Sequence, residues 1–119
     1  MLKVGLVGIG GMGFVHFNAY KNMDYCKIVA VADVRTDMAK EKADDESINI
    51  YASIDEMIAN EELDVIDICT PSYLHADISI KALESGVNVI CEKPMTLNSA
   101  DADRVIAAAK KTDKLIRIY

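Results

Sequence analysis

The chain has 119 residues, 51% of them apolar and 27% charged, and 13 Lys+Arg against 19 Asp+Glu leave a net charge of −6. That length supplies one hydrophobic core and not two. The acidic balance argues against nucleic acid or an anionic membrane as partner, since both reward a basic field. No apolar run approaches the ~20 residues of a membrane span, and Met1-Leu2-Lys3 does not open a signal peptide. Three cysteines at wide spacing (Cys26, Cys69, Cys91) suit neither a disulfide framework nor a zinc site, so a reducing cytoplasm and no metal are expected.

Leu2 to Val7 is a short, nearly continuous apolar run, the pattern of a strand buried on both faces. Five of the six glycines fall in the first thirteen positions, and after them Met12, Val15, Ala19 and Met23 recur at helical spacing. Lys27 to Asp33 reads as a second buried strand. Thr36 is placed to cap a polar helix running to about Asp44, and Asn49 to Ala52 is a weak third strand. Ser53 and Glu56 form a capping-box pattern that starts a short helix.

Asp64 to Thr70 is the fourth strand. Leu74, Ile78, Ala82 and Leu83 stripe the next helix, and Gly86 follows as its C-terminal cap. Val87 to Cys91 is the fifth strand. Asn98 or Ser99 caps a helix expected to turn Ala102, Val105, Ile106 and Ala109 inward, and Lys114 to Tyr119 is the sixth strand. Strict alternation of strand and helix implies βαβ crossovers. The expected fold is therefore a single α/β domain over residues 1–119, a doubly wound parallel sheet of the Rossmann type with six strands. Ligands of such sheets bind beyond the carboxyl ends of the strands, near the switch in strand order.

Gly8-Ile9-Gly10-Gly11-Met12-Gly13 fits G-x-G-x-x-G, following a strand and opening a helix as its mechanism requires. Gly8 permits the tight turn, Gly10 lets backbone approach a pyrophosphate, and Gly13 lets helix and strand pack closely. The amides of Gly11 and Met12 then face the anion at the positive end of the helix. Asp33 lies 20 residues beyond Gly13, where a dinucleotide fold places the acid that accepts ribose hydroxyls. A carboxylate there repels a 2′-phosphate and favours NAD. Arg35, two residues on, is able to pair with that phosphate, which keeps NADP open.

Two further elements lie at strand ends. In Thr70-Pro71-Ser72-Tyr73-Leu74-His75, Pro71 stiffens the turn and Ser72 is a candidate cap. His75 stands near the first helical turn, where it either reaches a ligand or is simply solvated. In Glu92-Lys93-Pro94, Lys93 is able to polarise a substrate oxygen or exchange a proton with a hydroxyl. The competing reading is an exposed lysine paired with Glu92. His16 is discounted, because its turn is already given to the phosphates, and Cys69 and Cys91 read as small core residues.

With G-I-G-G-M-G, strand-terminal Asp33, T-P-S-Y-L-H and C-E-K-P-M in this order, the chain resembles the N-terminal nucleotide-binding domain of the glucose–fructose oxidoreductase/inositol dehydrogenase (Gfo/Idh/MocA) family over its whole length. The resemblance implies cofactor binding by Gly8, Gly10, Gly11, Met12, Gly13, Asp33, Thr70, Pro71, His75 and Glu92; Ile9 within the glycine loop and Arg35 beside Asp33 are expected to join them. It further implies that Lys93 contacts substrate and helps catalysis, and that a cis peptide precedes Pro94. The implied reaction is hydride transfer between nicotinamide and a sugar, cyclitol or similar polyol. The family's second domain, with an open and mostly antiparallel sheet, supplies an Asp and a His to the substrate and most subunit contacts. This chain lacks it, so the chain is expected to bind cofactor but turn over little by itself, with homo-oligomers confined to the full-length protein. A non-catalytic dinucleotide-sensing or interaction module, and a transferase using S-adenosylmethionine, are the alternatives; the second leaves E-K-P unexplained.

Overall fold

The computed structural model describes all 119 residues. Strand β1 (Leu2–Val7) leads into helix α1 (Met12–Tyr20), β2 (Cys26–Ala32), α2 (Thr36–Ala43), β3 (Asn49–Tyr51) and α3 (Ile54–Asn60). Then follow β4 (Val65–Ile68), a 3-10 turn (Ser72–Leu74), α4 (His75–Glu84), β5 (Asn88–Cys91), α5 (Ser99–Thr112) and β6 (Ile116–Ile118). All five strand pairs are parallel, in the order β3-β2-β1-β4-β5-β6. The winding reverses between β1 and β4, and this reversal fixes where a crevice opens.

Period-two alternation builds both faces of the sheet. Val7, Ala30, Ala32, Ile66 and Ile68 point to one face and pack with Met57 of α3, Leu83 of α4 and Val105 of α5. Leu6 and Val31 point to the other, where Phe17 of α1 and Ala39 and Ala43 of α2 cover them. Sheets with helices on both faces show apolar strands with little alternation of polarity, as β1 and β2 do.

Several local expectations hold. The Ser53 hydroxyl accepts from the Glu56 amide at 3.2 Å, and the Glu56 carboxylate accepts from Ala52 at 3.2 Å, one residue earlier than a standard box. Asn98 caps α5 by accepting from the Asp101 amide at 2.8 Å. Gly86, at φ 88°, ends α4 with its amide on the Leu83 carbonyl and that of Val87 on Ala82. The Lys93–Pro94 peptide is cis.

Four local expectations fail. Ser72 opens the 3-10 turn and caps no helix; Pro71 and Leu74 hold the cap positions without side-chain bonds. Thr36 is the first residue of α2 and not its cap; Arg35 takes the cap position without a side-chain bond. On α5 Val105 is buried and Ala109 packs partly against the core as expected, but Ala108 is the other buried residue, Ala102 is half-buried and Ile106 is exposed. On α1 the stripe is out of phase: Met12, Val15 and Ala19 face outward, while Gly13, Phe14, His16, Phe17 and Tyr20 face the sheet. The glycine that must touch β1 sets the phase of that helix, and apolar count does not.

Candidate functional site

The loop after β1 is held by backbone before any ligand is considered. The Gly8 amide donates to Ala32 at 2.8 Å and the Cys69 amide to Val7 at 2.8 Å, so β1, β2 and β4 are stitched together where they end. The Gly13 amide bonds to the Gly10 carbonyl, closing the turn into α1. A Cβ on Gly13 would stand 1.9 Å from the Gly8 carbonyl oxygen, so no other residue fits there.

Asp33 has a nearly buried side chain, 7% exposed, and both oxygens are used. One accepts from the Ile9 amide at 3.1 Å and the other from the Arg35 amide at 2.9 Å. Each oxygen keeps a second lone pair for an outside donor. The Arg35 Nε lies 3.6 Å from Asp33, and the guanidinium spreads over Gly10.

Beyond these strand ends lies a crevice of about 800 Å³. Gly8, Gly10 and Gly11 form its floor, Asp33 and Arg35 one wall, and Thr70 and Pro71 the other. The amides of Gly10, Gly11 and Met12 have no acceptor within the chain. The Thr70 hydroxyl is buried and without a partner. Free amides at a helix N-terminus bind anions, and an orphaned buried hydroxyl calls for an outside partner. A dinucleotide fits this donor set.

Not every residue expected at the site lines it. Ile9 turns its side chain into the core beside Leu6 and spends its amide on Asp33, so it shapes the loop and offers nothing to the crevice. Gly13 packs behind the loop. His75 is 1% exposed, and its ring lies between two carbonyls, Pro94 at 2.7 Å and Thr70 at 2.9 Å. Lys93 is exposed at the end of β5, its amide on the Tyr119 carbonyl. Glu92 does not pair with Lys93. It is held by His16 at 2.7 Å.

That contact belongs to a cluster that sequence reading missed. Asp67, midway along β4, is fully buried. His16 Nδ1 lies 2.8 Å from Asp67 Oδ2, and the Tyr20 hydroxyl donates to the same oxygen at 2.9 Å. The Cys69 thiol lies 3.6 Å from Oδ1. Burial and the Asp67 carboxylate push the Tyr20 phenol and the Cys69 thiol well up, so both stay protonated donors. Burial lifts the Cys91 thiol to about 11, in keeping with an inert core residue. One signal was available: a carboxylate between Ile66 and Ile68 in a buried strand requires partners, and α1 is the neighbouring helix able to provide them.

Fold and crevice together define a dinucleotide-binding Rossmann domain. The chain belongs to the GFO_IDH_MocA family, whose model, described as an oxidoreductase family with an NAD-binding Rossmann fold, matches residues 2–119. It is 30% identical over 116 residues to a myo-inositol 2-dehydrogenase of Thermotoga maritima, covering 97% of this chain and 35% of that protein. With an inositol 2-dehydrogenase of Salmonella typhimurium the identity is 34% over 116 residues, covering 95% and 34%. Among solved structures, the WlbA dehydrogenase of Chromobacterium violaceum, in complex with NADH and UDP-GlcNAcA, superposes with a TM-score of 0.91 at 30% identity, covering 99% of this chain and 34% of that one. The chain thus spans about a third of the length of the relatives it matches. No helix is long and apolar enough to cross a membrane.

Proposed function

We propose that this domain binds NAD in the crevice and serves a dehydrogenase that moves hydride between nicotinamide and a hydroxyl-bearing carbon of a sugar, cyclitol or similar polyol. The observation that carries this reading is the row of free amides at Gly10, Gly11 and Met12, set between Asp33 and the unpartnered Thr70 hydroxyl. The amides receive the pyrophosphate, and Asp33 accepts from the ribose through its remaining lone pairs. The carboxylate beside that ribose disfavours a 2′-phosphate. When bound, the nicotinamide supplies the hydride acceptor or donor.

The rest falls to this chain's own side chains. Thr70 and Pro71 form the wall toward β5. The buried His75 ring fills the space between the Thr70 and Pro94 carbonyls, where a ring N–H donates to one of them, and so acts as a positioning residue. Lys93, exposed beside this wall, holds or moves the proton on the substrate oxygen. Relatives that are inositol dehydrogenases, and a nucleotide-sugar complex in a structural neighbour, support a polyol or sugar as the substrate class. The remaining substrate contacts and the assembly into oligomers are assigned to the part of the enzyme beyond this domain.

Calorimetry with NAD, NADP and S-adenosylmethionine tests the reading. NAD is expected to bind most tightly, and absence of dinucleotide binding would sink the proposal. Asp33→Ala removes a charged acceptor, worth about 1.5–3 kcal/mol, so NAD affinity is expected to fall at least tenfold. In the full-length enzyme, Lys93→Ala is expected to lower turnover on the order of a hundredfold while NAD affinity stays within twofold. Equal turnover in that variant would remove Lys93 from the chemistry.

A further inference from the structure

His16 has no part in the crevice, yet it joins the cofactor helix to the segment that carries Lys93. The ring projects from α1 three residues after Gly13. Its two nitrogens face two carboxylates, Asp67 at 2.8 Å and Glu92 at 2.7 Å. A neutral imidazole has one donor and one acceptor, and an ionised carboxylate donates nothing. Both contacts are hydrogen bonds only when both nitrogens carry protons.

Every element packed around the ring is accounted for. Tyr20 comes from α1, Asp67 from β4, Cys69 from just after it, and Glu92 from just after β5. The Tyr119 ring, just after β6, meets it edge-on with centroids 5.8 Å apart. Burial alone lowers the imidazole's pKa, but hydrogen bonds and charge from Asp67 and Glu92 outweigh it, leaving the group above its ordinary value of 6.5. The two carboxylates are unequal partners. Asp67 is a fixed anchor, fully buried, with the Tyr20 hydroxyl on the same oxygen as His16. Glu92 is 19% exposed and has His16 as its only side-chain partner.

We propose that His16 is a positioning residue for Lys93: as an imidazolium clamped between Asp67 and Glu92, it holds the Glu92–Lys93 segment in register with the helix that carries the glycine loop. The proposal rests on the reading of Lys93 given above. Loss of the ring's second proton turns one of its two contacts from attraction to repulsion between lone pairs. Glu92 is then the side that gives, because Asp67 is enclosed, and Lys93 is displaced with it.

The chain has only two histidines, so nuclear magnetic resonance of the chain itself gives a direct test, with His16→Gln identifying the signal. The His16 ring is expected to be doubly protonated at pH 7 and to titrate above the ordinary histidine value. The Glu92 and Lys93 amides are expected to shift with the same midpoint, and Asp67→Asn to lower both midpoints together. A singly protonated His16 at pH 7, or Glu92 and Lys93 amides that stay still through its titration, would overturn the clamp. None of these readouts needs cofactor, so a failure to bind NAD would remove the proposed function without touching this result. In the full-length enzyme His16→Gln is expected to lower kcat about tenfold with the cofactor KM within twofold, and raising the pH of the wild type through the midpoint should reproduce the loss. An unchanged kcat and pH profile would leave His16 a structural residue only.

Discussion

Gly13→Ala is expected to unfold or severely destabilise the domain, and Gly10→Ala is expected to leave folding intact while weakening cofactor binding. The new Cβ at position 13 would lie 1.9 Å from the Gly8 carbonyl oxygen and 3.3 Å from the Cys69 Cβ. The first contact is with backbone, already fixed by the Gly8 amide on Ala32, so relief requires moving α1 off the sheet. Overpacking of this kind costs about 3 kcal/mol or more when no flexible group is able to yield, a large part of a small domain's stability. At Gly10 the added Cβ meets only the end of the Arg35 side chain, at 2.8 Å, and that exposed side chain is free to swing away. Urea unfolding midpoints and NAD titrations on both variants separate the two roles. Similar unfolding midpoints for both would show that the close approach at Gly13 does not limit the fold.

Asp67→Ala is expected to cost about 3–5 kcal/mol, the range for removing one partner of a buried charged pair. It strands the Tyr20 hydroxyl and His16 Nδ1 together, and leaves His16 with Glu92 alone. Asp67→Asn retains an acceptor of the same shape and is expected to lose less. The pH dependence has a definite sign. His16 titrates higher in the folded chain than its ordinary 6.5, so its stabilisation is complete below about 6.5 and is lost as pH rises through the folded value. In Asp67→Ala that stabilisation is smaller, and its loss is complete at lower pH. Denaturant midpoints measured from pH 6 to pH 9 check both statements; wild-type stability that rose across this window in proportion to His16 deprotonation would contradict the assignment.

The fold was legible because most strands are apolar runs ended by a residue that breaks them. Gly8 ends the segment after β1, Asp33 follows β2, and the tripeptide Glu92-Lys93-Pro94 follows β5. The first two of these points, with Thr70-Pro71 after β4, are also where the crevice lies, so architecture and location came from one signal. Phase was harder to read. Met12, Val15 and Ala19 form a plausible inward stripe by hydropathy, yet Gly13 and Phe17 face the sheet because contact distance, and not apolarity, selects the face of α1. Ile106 was misplaced for a related reason: α5, packed beside α4, turns Val105 and the small Ala108 into the core and leaves the larger side chain outside.

The buried cluster was the least legible part. His16, Asp67 and Glu92 are separated by 51 and 25 positions, and the pairing of β1 with β4 and β4 with β5 brings both carboxylates within 3 Å of the His16 ring nitrogens. Local sequence places His16 beside a phosphate loop and Glu92 beside a lysine, and it suggested those partners. The actual partners lie across the sheet. A charge inside a strand that is otherwise Ile and Val is the kind of residue whose partner must be sought on another element.

His75 has a consequence for how the crevice meets a ligand. Buried between the Thr70 and Pro94 carbonyls, its ring packs the loops after β4 and β5 against each other. Across the crevice, the wall after β2 ends in the long side chain of Arg35, 65% exposed, with Lys42 behind it over the Phe14 ring. One side is ordered before binding, and the other must surrender rotamers on contact, about 0.5–1.5 kcal/mol for each side chain immobilised. Entropy therefore divides the crevice into a rigid half that demands shape and an adaptable half that tolerates variety. A ligand altered at the end lying against Arg35 should lose affinity gradually, and one altered at the end lying against Thr70 should lose it abruptly.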